Sequence, residues 1–271
     1  MEFLINYQHI LRPSLFIVLF ALFAYAEFYS PLSRRRTSRP QQWSTNLGLA
    51  VINSLFIKLI IPLLAVGVAL YTHEHQLGLF NYIDANYVSL PYALVFLISL
   101  LILDLIIYCQ HVLFHNVPLL WRLHRVHHTE IGLDVSSALR FHPVEILLSM
   151  LIKMSFVFLL GVPVAAVIVF EMLLNALALF NHSNLKLPKE VDKQLRKVIV
   201  TPEVHWIHHS PIVKETNSNY GFNLIIWDKL FSTYISTPRT EYQNMSQGLY
   251  QFGLQKSLSF KELLILPFKK R

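Results

Sequence analysis

The chain has 271 residues, 54% of them hydrophobic and 14% charged, with a net charge of 23 − 16 = +7 and a mean hydropathy of +0.45. A soluble domain carries about 25% charged residues, so this composition argues for an integral membrane protein, read as a single domain over residues 1–271. Its basic groups border apolar spans rather than forming a stripe with aromatics, which speaks against nucleic acid as a partner.

Apolar segments run over residues 15–29, 47–71, 88–109, 144–160 and 162–180. A full span needs about 20 residues, with a range of about 17–25. The first segment is short unless 10–14 joins it. Glu2 and the lack of a small-residue cleavage site ahead of Arg34, Arg35, Arg36 and Arg39 predict a retained first span rather than a removed signal peptide. The second and third segments qualify clearly, with Lys58 and Asp104 as their only charges. Cys109, the single cysteine, excludes an intrachain disulfide and reads as a small buried hydrophobe. The last two segments are parted by Gly161 and abut Pro163, so they form a helical hairpin. Lys153 and Glu171 lie inside it and leave open a hairpin that only partly crosses the bilayer. The fold class expected is an all-α membrane protein of four or five apolar helices.

Charge placement orients these helices. Basic residues collect on the cytoplasmic side of short loops. They occur here as the arginine knot at 34–39, as Lys186, Lys189, Lys193, Arg196 and Lys197, and as Lys269, Lys270 and Arg271, with none between Thr72 and Pro91. Counting spans from the knot puts residues 111–142 and 181–271 in the cytoplasm, as one discontinuous cap on an inner, plasma or endoplasmic reticulum membrane.

That cap holds ten of the thirteen histidines. Eight form three clusters: His111-x-x-x-His115, His124-x-x-His127-His128 and His205-x-x-His208-His209. Imidazole is the commonest metal ligand near neutral pH. Positions i, i+3 and i+4 share a helix face, so each cluster is expected to aim its rings at one point. His182, just after the hairpin, and His142, just before Pro143, are two further ligand candidates. His9, His73 and His75 read as ordinary surface or loop residues. Asp104 lies seven residues before His111, on the same face and about 10 Å deeper. It either receives an N–H from a ligand ring or makes a structural hydrogen bond to another helix. Eight to ten imidazoles exceed one ion's needs, so two metal ions are implied. Iron would permit dioxygen chemistry and paired zinc hydrolysis; spacing does not choose between them. A histidine-lined metal transporter would carry its ligands near mid-bilayer instead, and a bis-histidine haem protein would leave most of these histidines unused. Because ligand histidines must be neutral, activity is expected to fall on acidification.

The three boxes, in this order, resemble the signature of the fatty acid hydroxylase/sterol desaturase superfamily of membrane-bound non-haem di-iron oxygenases. Trp121-Arg-Leu-His-Arg-Val-His-His is similar to its core box. Asn219-Tyr-Gly-Phe-Asn-Leu-Ile-Ile-Trp-Asp228-Lys-Leu-Phe-Ser-Thr-Tyr234 is similar to its downstream segment, with Ser232 where glycine is expected. Arg140-Phe-His142-Pro-x-Glu145 and Asn181-His182-Ser183 also match, and the resemblance covers residues 88–234. It implies two iron ions held by the histidines, and hydroxylation or desaturation of a lipid substrate with dioxygen. It also implies electrons from a separate donor protein, since no haem, flavin or iron–sulfur motif is present. Asn116 stands where the ether-cleaving relatives carry an acidic residue, which weakly disfavours that activity.

Overall fold

The structure, a computed structural model, describes residues 2–61 and 63–269; Lys270 and Arg271 of the last basic group lie outside the described residues. Thirteen α-helices are described: α1 (Glu2–Tyr29), α2 (Arg39–Ile60), α3 (Ala65–Glu74), α4 (Leu79–Asn86), α5 (Tyr92–Asn116), α6 (Pro118–His128), α7 (Pro143–Leu160), α8 (Val164–His182), α9 (Lys189–Leu195), α10 (Pro202–His208), α11 (Val213–Thr216), α12 (Ile226–Leu230) and α13 (Phe260–Ile265). Strand-like pairing among the described residues amounts to two isolated bridges. Five helical segments are long and apolar enough to cross a membrane: α1, the stretch 39–86, α5, α7 and α8. The chain is an integral membrane protein of the all-α class, with five candidate spans.

The second span departs from the single helix expected over 47–71. It breaks after Ile60, where Ile61 takes φ −117° and ψ 95°, because a residue that precedes proline is pushed out of the helical region. The first half of α2 does not lie among the spans at all. Gln42 donates to Gly132 O at 2.5 Å, and Asn46 to Glu130 Oε2 at 2.9 Å and Ser136 Oγ at 3.0 Å. Asn53 donates to Phe141 O at 2.9 Å. α2 therefore starts inside the cap and enters the span region near Asn53.

Both arms of the hairpin are long and apolar enough to cross a membrane. Its turn is made by Gly161 in the left-handed region (φ 67°, ψ 47°), which caps α7. There the chain from α3 passes so closely that a Cβ on Gly161 would sit 2.5 Å from Leu77 O. The two charges inside the hairpin are answered internally. Glu171 of α8 pairs with Lys153 of α7 and, at 2.6 Å, with Arg12 of α1. Mutual pairing is how ionisable groups persist at membrane depth, so Lys153 and Glu171 are compatible with two full crossings. Ala65, Ala69, Leu103, Ile107, Val157, Ala166, Val167 and Phe170 form the core between α3, α5, α7 and α8. Cys109, expected to be buried, is exposed on α5.

The opposite end of the bundle is the cap. Arg35 bonds Asp134 at 2.6 Å, Arg39 lies 3.5 Å from Glu27, and Arg36 donates to Met245 O at 3.1 Å. The arginine knot thus shares its end of the bundle with the histidine-bearing loops. Arg140 is fully buried there against Glu130 at 3.5 Å, and its Nε donates to Val126 O at 3.1 Å, fastening the end of α6.

Candidate metal centre

Nine histidines meet in two groups. His111, His115, His124, His128 and His208 form one, and His127, His182, His205 and His209 the other; within each, one ligand atom per residue lies within 4.8 Å of all the rest. α5 supplies His111 and His115, and α8 supplies His182. The two H-x-x-H-H clusters do not each aim at a single point. α6 gives His124 and His128 to the first group and His127 to the second, while the α10 cluster gives His208 to the first and His205 and His209 to the second. At about 100° per residue, i+4 lies some 40° from i on one side and i+3 some 60° away on the other. A five-residue cluster therefore feeds two adjacent centres.

The rings are held from behind. His111 Nδ1 donates to Tyr220 O at 2.7 Å, His208 Nδ1 to Ser218 O at 2.7 Å, and His182 Nδ1 to Ala178 O at 2.8 Å. His127 Nδ1 donates to Arg140 O at 3.3 Å, and His124 Nδ1 to Glu145 Oε1 at 2.6 Å. A proton on Nδ1 leaves Nε2 as a bare lone pair. These lone pairs then face one another: His111 Nε2 is 3.1 Å from His208 Nε2, and His182 Nε2 is 3.0 Å from His127 Nε2. Two opposed lone pairs at that distance repel unless a cation lies between them. Two nitrogens bound at about 2.1 Å and at right angles to one ion are separated by about 3 Å. Neither ring nitrogen of the buried His128 has a partner among the described residues. Burial drives His124 down to about 3 and holds His127, His128, His205, His208 and His209 well below the usual imidazole value, so these rings are neutral, as ligands must be. The donor set fits two metal ions.

Two expected site residues fall elsewhere. His142 is outside both groups. Its Nδ1 accepts from Val144 N–H at 3.2 Å, capping α7, and its Nε2 donates to Leu264 O at 3.1 Å, so both ring nitrogens are already engaged by protein. Asp104 touches no histidine. Its Oδ2 accepts from Trp227 Nε1 at 2.8 Å and from Leu224 N at 3.2 Å, anchoring the 219–234 segment to α5. His9, His73 and His75 are exposed and remote from the centre.

Two carboxylates do more than the sequence indicated. Glu145 bonds His124 of the first group and borders the cavity described next. Asp228 accepts from Tyr220 N and Gly221 N, both at 2.7 Å, and from Thr233 Oγ1 at 2.7 Å. It thereby fixes the loop whose carbonyls hold His208 and His111. Gly221 is required there, because a Cβ would meet Asp228 Oδ2 at 2.6 Å. A cavity of about 720 Å³ runs between α2, α5, α7 and α8, lined largely by apolar residues such as Ile57, Ile107, Phe141 and Leu174, and ends on His111, His124, His127 and His205.

A membrane helical bundle with two histidine groups able to hold metal at one end, reached by an apolar cavity, is the class of protein that the fold and site define. The chain belongs to the fatty acid hydroxylase family, whose model matches residues 96–233. It is 32% identical over 149 residues to the ornithine lipid hydroxylase OlsE of Rhizobium tropici, covering 55% of this chain and 44% of that protein. It is also similar to alkylglycerol monooxygenases, 29% identical over 164 residues to that of Danio rerio (59% of this chain, 35% of that protein) and 26% over 132 residues to that of Homo sapiens (47% and 27%). The chain thus spans less than half the length of these relatives. No solved structure matches it.

Proposed function

We propose that this protein is a membrane-bound di-iron lipid hydroxylase: one atom of dioxygen enters a C–H bond of a lipid, and two electrons and two protons reduce the other to water. The observation that carries this reading is the apolar cavity between the candidate spans that ends on four imidazoles drawn from both groups. A lipid chain can reach the centre without leaving an apolar environment. Iron, when bound, supplies the redox chemistry that dioxygen requires, and imidazole ligands suit it. The nine histidines would hold two ions, with Tyr220, Ser218, Ala178 and Arg140 carbonyls and Glu145 fixing ring orientation. The names of the relatives favour oxygen insertion over hydrolysis by paired zinc. A metal transporter is disfavoured because the ligands gather at one end of the spans.

The arginines packed into the cap favour a cytoplasmic location for it, where a separate electron-donor protein would dock. The test is metal and product together. Purified under low oxygen, the protein should hold about two iron ions per chain and transfer labelled dioxygen to a lipid. His205→Ala and His111→Ala should each abolish both properties, while His73→Ala should leave them intact. Stoichiometric haem, or full activity in His205→Ala, would falsify the reading.

A further inference from the structure

Three basic residues lie within the membrane-spanning part, and two of them, Arg12 and Lys153, are paired with Glu171. Lys58 is the third. It is exposed and, among the described residues, makes no ion pair and no hydrogen bond. An unpaired charge at membrane depth is costly and marks a missing partner.

Its depth follows from α2. Asn53 is bonded to Phe141 O, directly before the start of α7, so it marks the level at which cap gives way to span. Lys58 lies five residues further on, about 7.5 Å deeper at about 1.5 Å per residue. It shares a helix face with Ala50, Asn53, Ser54 and Ile57, and these five, with Ile61 just past the helix end, line the cavity that reaches the histidines. Glu145 is the one carboxylate on that cavity wall, and its Oε1 is taken by His124. Glu145 Oε2 has no partner, yet Lys58 makes no ion pair with it, so the wall offers a cation left unpaired among the described residues.

We propose that Lys58 binds an anionic group, phosphate or carboxylate, of the lipid that occupies the cavity, making the substrate an anionic lipid. This rests on the lipid-hydroxylase reading. The ammonium is a point charge on a flexible stem, suited to following a headgroup at the cavity mouth, and the apolar wall beyond it accepts the chain.

The test uses the full chain in detergent and four lipid probes followed by native mass spectrometry: oleate against oleyl alcohol, and dioleoyl phosphatidate against dioleoylglycerol. The wild type should prefer one anionic probe over its neutral counterpart by roughly tenfold or more, the scale of a hydrogen bond to a charged group. Preference for oleate identifies a carboxylate site, and preference for phosphatidate a phosphate site. Lys58→Met should lose the preference and Lys58→Arg keep it, with metal content and melting temperature unchanged in both. Equal binding of charged and neutral probes, or an unchanged preference in Lys58→Met, overturns the proposal and identifies Lys58 as a side chain reaching only for the interface. A second arm follows labelled oxygen. Incorporation into neutral lipids, undiminished in Lys58→Met, would sink the inference and leave the hydroxylase standing. No incorporation, with the anion preference intact, would sink the hydroxylase and leave the anion site.

Discussion

Ser232 has φ 57°, in the left-handed region, where a side chain costs about 1–2 kcal/mol and glycine almost nothing. The expectation of glycine at this position has that physical origin. Ser232→Gly should therefore stabilise the protein by about 0.5–1 kcal/mol, part of the gain being returned as chain entropy; an unchanged or lowered melting temperature would count against it. A second comparison separates residues that hold the centre from residues that hold the fold. Glu145→Gln removes the charge behind His124 with little change in size, and should cost about 10–100-fold in metal affinity at a nearly constant melting temperature. Asp104→Ala strands the half-buried Trp227 and Leu224 N–H groups and should cost about 1 kcal/mol of stability, with metal affinity preserved below the melting range. Metal titration alongside thermal melts decides it, and the reverse pattern would reassign both. Eight of the nine grouped histidines were legible because their spacing is itself the chemistry; the isolated His182 was marked only by its place after the hairpin and by the resemblance. His142 was misleading for the opposite reason: its neighbour Pro143 signals a helix start, and capping that start uses the same ring nitrogen that a metal would need.

At the scale of elements, the H-x-x-H-H clusters show what helical spacing does and does not convey. It gave a shared face, whereas the structure divides each cluster between two centres, because i+3 and i+4 flank the starting residue on opposite sides. The C-terminal segment was illegible as part of the site. It lies beyond residue 234, and it works through backbone carbonyls, which leave no trace in a side-chain pattern. Arg122 Nε donates to Pro267 O at 2.6 Å and Arg125 Nη2 to Leu266 O at 2.7 Å. Leu263 and Leu266 pack with Leu49 and Val126. α13 is itself set by a capping box between Ser259 and Glu262. This segment braces α6, which carries three of the grouped histidines. Leu263 is fully buried, so Leu263→Ala should destabilise by about 2–5 kcal/mol and speed metal loss to a chelator at temperatures where the fold persists. Equal release rates in variant and wild type would show that α6 holds its place without the brace.

For the whole molecule, the apolar segments and their order were readable from hydropathy, though not whether four or five of them cross; the break in the second span has a local cause, the proline after Ile61, whereas the pairing of Lys153, Glu171 and Arg12 depends on partners distant in sequence. The sidedness can be argued from the assembled structure. The turn at Gly161 meets the chain at Leu77 and Gly78 at the end away from the histidines, and residues 72–91 contain no lysine or arginine. The other end carries Arg35, Arg36 and Arg39, bonded into the loops that surround the metal groups, together with Lys186, whose N–H bonds Ser30 O at the end of α1. If all five candidate spans cross, the start of α1 and the turn at Gly161 lie on one side and the histidine cap on the other. The positive-inside rule supports the proposal that this cap faces the cytoplasm. A reporter placed after Asn81 should therefore read as external, and one at Lys214, exposed at the start of α11, as cytoplasmic. The same side for both would mean that a span has been miscounted. A reversed pair would keep the bundle but put the centre out of reach of a cytosolic electron donor, and would require its reductant on the outer face.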